Sequence, residues 1–378
     1  MMRPGLWQTS ARLSAIFALG IALAACGTDR PKPTELGANP ARVGVRSVWT
    51  AQIGDVKFAL GVRVVGNNVY LASTEGTVAA IDARTGGDVW RANLKTKLTA
   101  GVGSDGRYAS VVNADNELIT LDAGKVIWRQ QMGALTLTAP LVVGERVFVL
   151  SADRTVTAFD AATGRKLWIQ QPRTGDALVL GQAGVLMAMG DTLVVGQSGR
   201  VVGMNPQNGS TRWDGAIANS RGTNEVERLV DIVAGVSREG DSLCVRAFQS
   251  AVGCVDTLRG RTVWTKTSNG AVGISGDAST VVGTEADGKV VAWKRAEGDK
   301  LWTSENLRYR GLSAPLWLGK SIVVGDESGL VHFVSPEDGS LLNRVNTDGS
   351  ALVAAPVLAG ATLVVVTRRG GVYAFRPD

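Results

Sequence analysis

The chain of 378 residues has one histidine, three cysteines and only 6% aromatic residues. The lone histidine, His332, lies in an apolar VHFV run, where a packed place on a strand is the expectation. With no second histidine or Cys/His cluster nearby, it makes no zinc site. There is no Gly-x-Ser-x-Gly elbow, no His-Glu-x-x-His and no Gly-rich phosphate loop, so familiar signatures of hydrolases and nucleotide enzymes are missing. Positive charge is modest, +6 overall, and no Lys/Arg stripe interleaves with aromatics, which argues against nucleic acid as a partner. Acidic residues mostly sit in turns such as DGK, EDG and ADG, without calcium-loop spacing. Glycine is what abounds, 47 residues, set among short alternating runs rich in valine and alanine. That is the composition of short strands and tight turns.

One long apolar run exists, and it opens the chain. Arg3 and Arg12 precede LSAIFALGIALAA at 13–25, an h-region of signal-peptide length and too short for a comfortable membrane span. Leu23-Ala24-Ala25-Cys26 closes it in the manner of a bacterial lipobox. Residues 1–25 therefore read as a lipoprotein signal peptide and Cys26 as the lipidated first residue of the mature chain. A plain secretory signal with an incidental cysteine is the weaker alternative. Lipoproteins retained at the inner membrane commonly carry Asp after this cysteine. Gly27 instead predicts transfer to the outer membrane, anchored on the periplasmic face. The following stretch has three prolines and no apolar periodicity, so 26–45 is expected to be a flexible tether.

From there a phrase repeats. Gly-x-x-x-Trp occurs six times, ending at Trp90, Trp128, Trp168, Trp213, Trp264 and Trp302. A seventh copy has Asn343 in place of the indole, and an eighth, degenerate copy lies around Trp49. Each unit also carries a hairpin signal, such as VYLASTEGTVAAID at 69–82 or SIVVGDESGLVHFV at 321–334. Apolar runs such as TAPLVVG, SAPLWLG and AAPVLAG precede the hairpins; their prolines suit an edge strand. Each unit is thus four antiparallel strands, with the tryptophan on the outer one.

The count decides the architecture. The eighth hairpin runs to Phe375, and no outer strand follows it before Asp378. The spare outer strand is RSVWTA at 46–51, ahead of the first hairpin. Supplying it to the last unit closes a ring, so 46–378 is expected to be an all-β, eight-bladed propeller. The tryptophans then dock one blade against the next, and no cofactor platform is needed to explain them.

Cys244 and Cys254 fall on the two arms of one hairpin, opposite or nearly so. In an oxidising periplasm they are placed to form a disulfide; two small buried hydrophobes are the alternative. Departures from the repeat are the better place to seek function. Two links exceed the others, QQPRTGDALVLGQAG at 170–184 and ANSRGTNEVERLVDI at 218–232. Both follow outer strands and lie in consecutive units, so both should emerge on the same face as one patch.

With these features the mature chain resembles the BamB family, lipoprotein scaffolds of the outer-membrane β-barrel assembly (BAM) machinery. NEVERLVDI, GLSAPLWLGKSIVVGDESG and GGVYAF look especially similar. The resemblance implies a non-enzymatic scaffold without cofactor that binds the POTRA domains of BamA. It also implies an interface on the two long links, through a Leu-x-Leu-Arg and an Asp-x-Asp stretch. In this chain Leu178, Leu180 and Asp231 match, whereas Gly181 and Val233 depart from the pattern. The expected partner-binding set is Leu178, Leu180, Glu227, Arg228 and Asp231, with Arg228 standing in for the missing arginine. Unfolded outer-membrane proteins are a further expected contact, by strand pairing along a blade edge.

Two other functions compete. A quinone-cofactor (PQQ) dehydrogenase shares the tryptophan repeat, but those enzymes are longer and carry adjacent cysteines, which Cys244 and Cys254 are not. Binding of a glycan or other periplasmic ligand in the central channel is the third; nothing in the sequence requires it.

Overall fold

A computed structural model describes residues 31–172, 180–219 and 230–377. The sheet-forming unit begins at Thr34. Among the described residues there is no helix, and thirty-two strands form eight four-stranded antiparallel sheets. Seven sheets are continuous in sequence: blades 1 to 7 span 63–93, 103–131, 141–170, 186–216, 232–267, 274–304 and 316–346. Blade 8 takes three strands from 357–377 and its outer strand, Val45–Gln52, from the other end of the unit. Inner strands of most neighbouring blades touch, and that of blade 1 also touches that of blade 8. The chain is an eight-bladed propeller, closed by its N-terminal strand. Trp49 pairs with Ala374 across that closing ladder.

The prolines of the inner runs do not lie within strands. Pro140, Pro315 and Pro356 each stand one residue ahead of theirs, Leu141–Val143, Leu316–Leu318 and Val357–Ala359. The inner strands are only a few residues long, and proline is at ease where a strand begins.

Every outer strand carries a register shift that leaves one extra residue just before the tryptophan, or before Asn343 in blade 7. In blade 1, Ala80 pairs with Trp90 and Ile81 with Asp88, so Val89 is unpaired. The bulged residue is exposed at Val89, Ile127, Val263 and Leu301, and half-buried at Leu167 and Leu342. A bulge re-aims the side chains on either side of it, which turns the indole toward the next blade.

There it meets the glycine of the following repeat. A Cβ on Gly298 would lie 2.4 Å from the Trp264 ring, and one on Gly86 would lie 2.6 Å from Trp49. The same holds for Gly124, Gly164, Gly209, Gly260 and Gly339 under the indoles of the preceding blades. These turn glycines have positive φ, for example +74° at Gly298, so the residue serves both the turn and the close approach. Five indoles also donate to a turn carbonyl of the next blade, as Trp264 Nε1 to Arg295 O (2.6 Å) and Trp49 Nε1 to Ala83 O (2.9 Å). These five tryptophans thus pack the ring against the next blade and satisfy the N–H at once.

The expected flexible tether is bound to the ring from Thr34 onward. Thr34 N–H donates to Arg308 O, and Arg310 Nη1 donates to Thr34 O. Leu36 packs with Trp302 and Leu341, Arg344 Nη2 reaches Gly37 O (2.8 Å), and Arg42 N–H reaches Leu342 O. Asn343 explains its own departure from the repeat here. Its Nδ2 donates to Val43 O (2.7 Å), while its Oδ1 accepts from Asn39 Nδ2 (2.9 Å). Proline and sparse hydrophobics suggest a free segment when read alone; backbone pairing to blade 7 is a tertiary gain that local composition does not reveal.

Candidate functional site

In an antiparallel blade, the turn between the middle strands and the link to the next blade lie on the same face. The two long links emerge on that face, and their roots are tied together. Ala234 N–H donates to Ala183 O (2.9 Å), Gly184 bridges Val233, and Gly184 N–H donates to Thr138 Oγ1 (2.9 Å). Val185, Val230 and Ile232 enter one core cluster beneath.

Two of the five expected binding residues meet at this root. Leu180 N–H donates to Asp231 Oδ2 at 3.0 Å. Leu178, Glu227 and Arg228 lie outside the described residues. A residue not anticipated completes the cluster. Arg154 Nε approaches Asp231 Oδ1 at 3.1 Å, and its Nη2 approaches Oδ2 at 3.3 Å. This paired geometry holds the carboxylate in one plane. Arg154 comes from the middle turn of blade 3, with φ of +66°, and Gln197 Nε2 holds its carbonyl at 2.8 Å. The guanidinium facing Asp231 is therefore supplied by another blade, where Gly181 offers none. Its signal in the sequence is weak: ADRT occupies a turn whose fellows read TEG, ESG or RRG.

Asp231 is mostly covered, with 17% of its side chain exposed, and Arg154 retains 6%. Removing one partner of so buried a pair leaves the other uncompensated, at a cost of about 3–5 kcal/mol. The pair thus acts first as a brace between the described ends of both links. Leu180, half-buried, is the apolar side chain it presents.

The same face carries two further buried ionic groups. Arg246 is fully buried, donates to Thr284 O and Val272 O, and pairs with Glu285 Oε1 at 3.1 Å. Burial pulls its pKa down to about 10 against the opposing pull of Glu285, which leaves it a cation at neutral pH. Gly270 and Gly283 make room for it, since a Cβ on either would meet the guanidinium within 2.4 Å. In blade 7, Asp326 accepts from Arg310 Nε (2.8 Å) and faces His332 Nε2 (3.0 Å). Burial opposes its charge, but hydrogen bonds from His332, the Leu330 N–H, Ser328 and Arg310 outweigh it and hold the carboxyl well below its ordinary range. His332 is a packed core residue in this network. Among the described residues, no group of three or more His, Cys, Asp or Glu side chains is placed to hold a metal ion.

Cys244 and Cys254 are register partners in blade 5, 3.9 Å apart at Cα, and are joined as a disulfide. Both are fully buried beside Trp264 and Trp293, so the bond belongs to the core.

A family model described as outer membrane protein assembly factor BamB matches residues 74–304. The chain is 37% identical to the BamB of Burkholderia pseudomallei over 96% of its own length and 97% of that protein's. This chain belongs to the BamB family. The BamB of Bordetella pertussis is 32% identical over 100% of this chain and 99% of its own. Among solved structures, BamB from Moraxella catarrhalis superposes with a TM-score of 0.78 at 26% identity, covering 88% of this chain and 99% of that one. A quinohemoprotein alcohol dehydrogenase from Comamonas testosteroni superposes at 0.67 with 16% identity, covering 90% and 78%, a likeness of fold alone.

Proposed function

We propose that this chain is a non-catalytic scaffold of the outer-membrane protein assembly machinery, anchored through lipidated Cys26 on the periplasmic face of the outer membrane. The face bearing the two long links docks the POTRA domains of BamA and so assists folding and insertion of outer-membrane proteins. The observation that carries this reading is the brace at the root of the links, where Arg154, Asp231 and Leu180 from three separate segments converge. A ring needs no such brace to close. A surface that must present two links in fixed relation does.

In this reading Leu178 and Leu180 supply the buried apolar contact, and Glu227 and Arg228 orient the approach of the partner. Asp231 acts through Arg154 and the Leu180 backbone. The tether fits the same orientation. Thr34 is held at Arg308 and Arg310, in the link that opens on this face, and Cys26 lies only eight residues upstream. Eight extended residues span at most about 29 Å, which keeps the edge of this face near the membrane.

The test is binding of purified BamA POTRA domains to the ring. Leu178→Glu/Leu180→Glu should weaken binding at least about tenfold while leaving the unfolding midpoint unchanged, as truncation of central apolar anchors does elsewhere. Unchanged affinity in the folded variant would remove this face from the interface.

A further inference from the structure

One junction of the ring carries a charge that the repeat does not require. At four junctions the turn carbonyl that accepts the indole N–H belongs to Ala83, Ala161, Pro206 or Pro336. Between blades 5 and 6 it belongs to Arg295, which is only 5% exposed. Arg154, Arg246 and Arg295 are the buried arginines among the described residues. The first two each face a carboxylate, Asp231 or Glu285. The partners of Arg295 are all uncharged. Its Nε donates to Asp277 O (2.5 Å), its Nη1 to Ser237 O (3.3 Å) and its Nη2 to Ser237 Oγ. Nη1 also lies 3.5 Å from Ser242 Oγ and 3.2 Å from Cys244 Sγ, one half of the buried disulfide.

A buried cation without an anion is costly, and neutral acceptors offset only part of that cost. The carboxylates that act on Arg295 do so from a distance. Glu239 is exposed at the end of an inner strand, and the Asp277 carboxylate is taken up by Ser279 and Thr280. The contacting group that is able to become an anion is the Cys244 sulfur. Cys254 is placed differently. It shares the apolar cluster, and no hydrogen-bonding side chain reaches its sulfur among the described residues. From blade 6 that cluster receives Ile274, Val281, Val291 and Trp293, none of them titratable. The ladder holds both cysteines in place with or without the bond, since Leu243 pairs with Val255 and Val245 with Gly253 on either side.

We propose that Cys244 and Cys254 form a redox couple whose reduced state holds a Cys244 thiolate against the Arg295 guanidinium, beside a neutral Cys254 thiol. The electrons come from a dithiol, which is itself oxidised to a disulfide. The S–S bond breaks, one of the dithiol's two protons goes to Cys254, and the other is released to solvent. An adjacent cation favours the thiolate, so the junction exchanges a covalent tie for an ion pair and the ring stays closed in both states. The couple lies away from the link-bearing face and does not depend on its role. Both sulfurs are buried, so exchange proceeds through transient opening, and the test reads the equilibrium rather than the rate. The full chain is equilibrated with dithiothreitol at several pH values, and the Cys244 and Cys254 thiols are read by alkylation and peptide mass. Release of one proton makes the reduction constant rise about tenfold per pH unit between about pH 7 and 8. Two ordinary thiols, with pKa near 8.5, would leave it almost flat there. Arg295→Met should flatten the slope, and Arg295→Lys should restore part of it. In Cys254→Ala, the free Cys244 thiol should titrate well below about 8.5 by thiolate absorbance. The proposal is overturned by a flat wild-type response, by an undiminished slope in folded Arg295→Met, or by loss of the wild-type fold on reduction, read by near-ultraviolet circular dichroism.

Discussion

Seven blade junctions and the eighth solve one problem in two ways. At seven, an indole from the outer strand lies on the turn glycine of the next blade. At the eighth there is no such turn, and Asn343 instead grips the segment that leads into the closing strand. The indole combines buried apolar area with a hydrogen bond; the amide offers hydrogen bonds only. An amide suits a junction whose partner is bare backbone, because backbone carbonyls need donors. Its cost is unfilled space, and a recess of about 390 Å³ between blades 7 and 8 lies there. The outer edge of this junction is thereby polar, over an apolar interior that includes Phe333, Leu363 and Phe375, whereas the other seven are wedged there by an indole.

That contrast is open to measurement. Trp264→Ala should produce the largest loss, about 3–5 kcal/mol in urea unfolding, since it empties a buried indole site. Gly298→Ala should cost about 3 kcal/mol, from overpacking against Trp264 added to the strain of positive φ. Gly349, also at positive φ (+77°) but with nothing within 4 Å of its would-be Cβ, is the control and should lose only about 1 kcal/mol on the same change. If the two glycines respond alike, the indole contact is not what selects glycine in the repeat.

The closing side should also be the acid-sensitive one. Arg310 links Asp326 to Thr34 O, so the depressed carboxyl of Asp326 helps to hold the N-terminal segment. Its folded pKa lies below the unfolded value near 3.8, so its contribution is complete above that pH and is lost as pH falls through the folded value. Proteolysis near Thr34 should therefore rise only below about pH 4, the range in which an ordinary Asp begins to bind protons. Asp326→Asn should cost about 2 kcal/mol at neutral pH and flatten that acid response. The smallest contrast with Trp264 is Asn343→Ala, expected at about 1–2 kcal/mol for the lost hydrogen bonds. A loss equal to that of Trp264→Ala would erase the distinction between the two kinds of junction.

The repeat made the ring and its closure legible because each blade writes the same signals: an alternating hairpin, a turn glycine and a tryptophan. The unmatched strand around Trp49 was enough to specify a closed propeller. What stayed hidden depends on contacts between distant segments. The bulge before each tryptophan leaves no compositional trace beyond an outward apolar residue such as Val89. Docking of residues 34–43 engages mostly their backbone groups, which every sequence has, through the distant side chains of Arg310, Asn343 and Arg344. At the candidate site, Leu180 and Asp231 were legible by resemblance, but Arg154 lies 77 residues from Asp231 in an ordinary-looking turn. Gly270 and Gly283 did hold a readable hint, since glycines outside the repeat's turns mark a close approach, here that of Arg246.

The most direct test sets the two faces against each other in one experiment. The chain is purified from solubilised outer membrane with Leu180→Glu on the link-bearing face or Leu358→Glu on the opposite one, and co-purifying BamA is quantified. Loss of BamA with Leu180→Glu and its retention with Leu358→Glu is the predicted result. Equal retention in both folded variants, or loss with Leu358→Glu alone, would contradict the placement of the partner on the face that the Arg154–Asp231 brace supports.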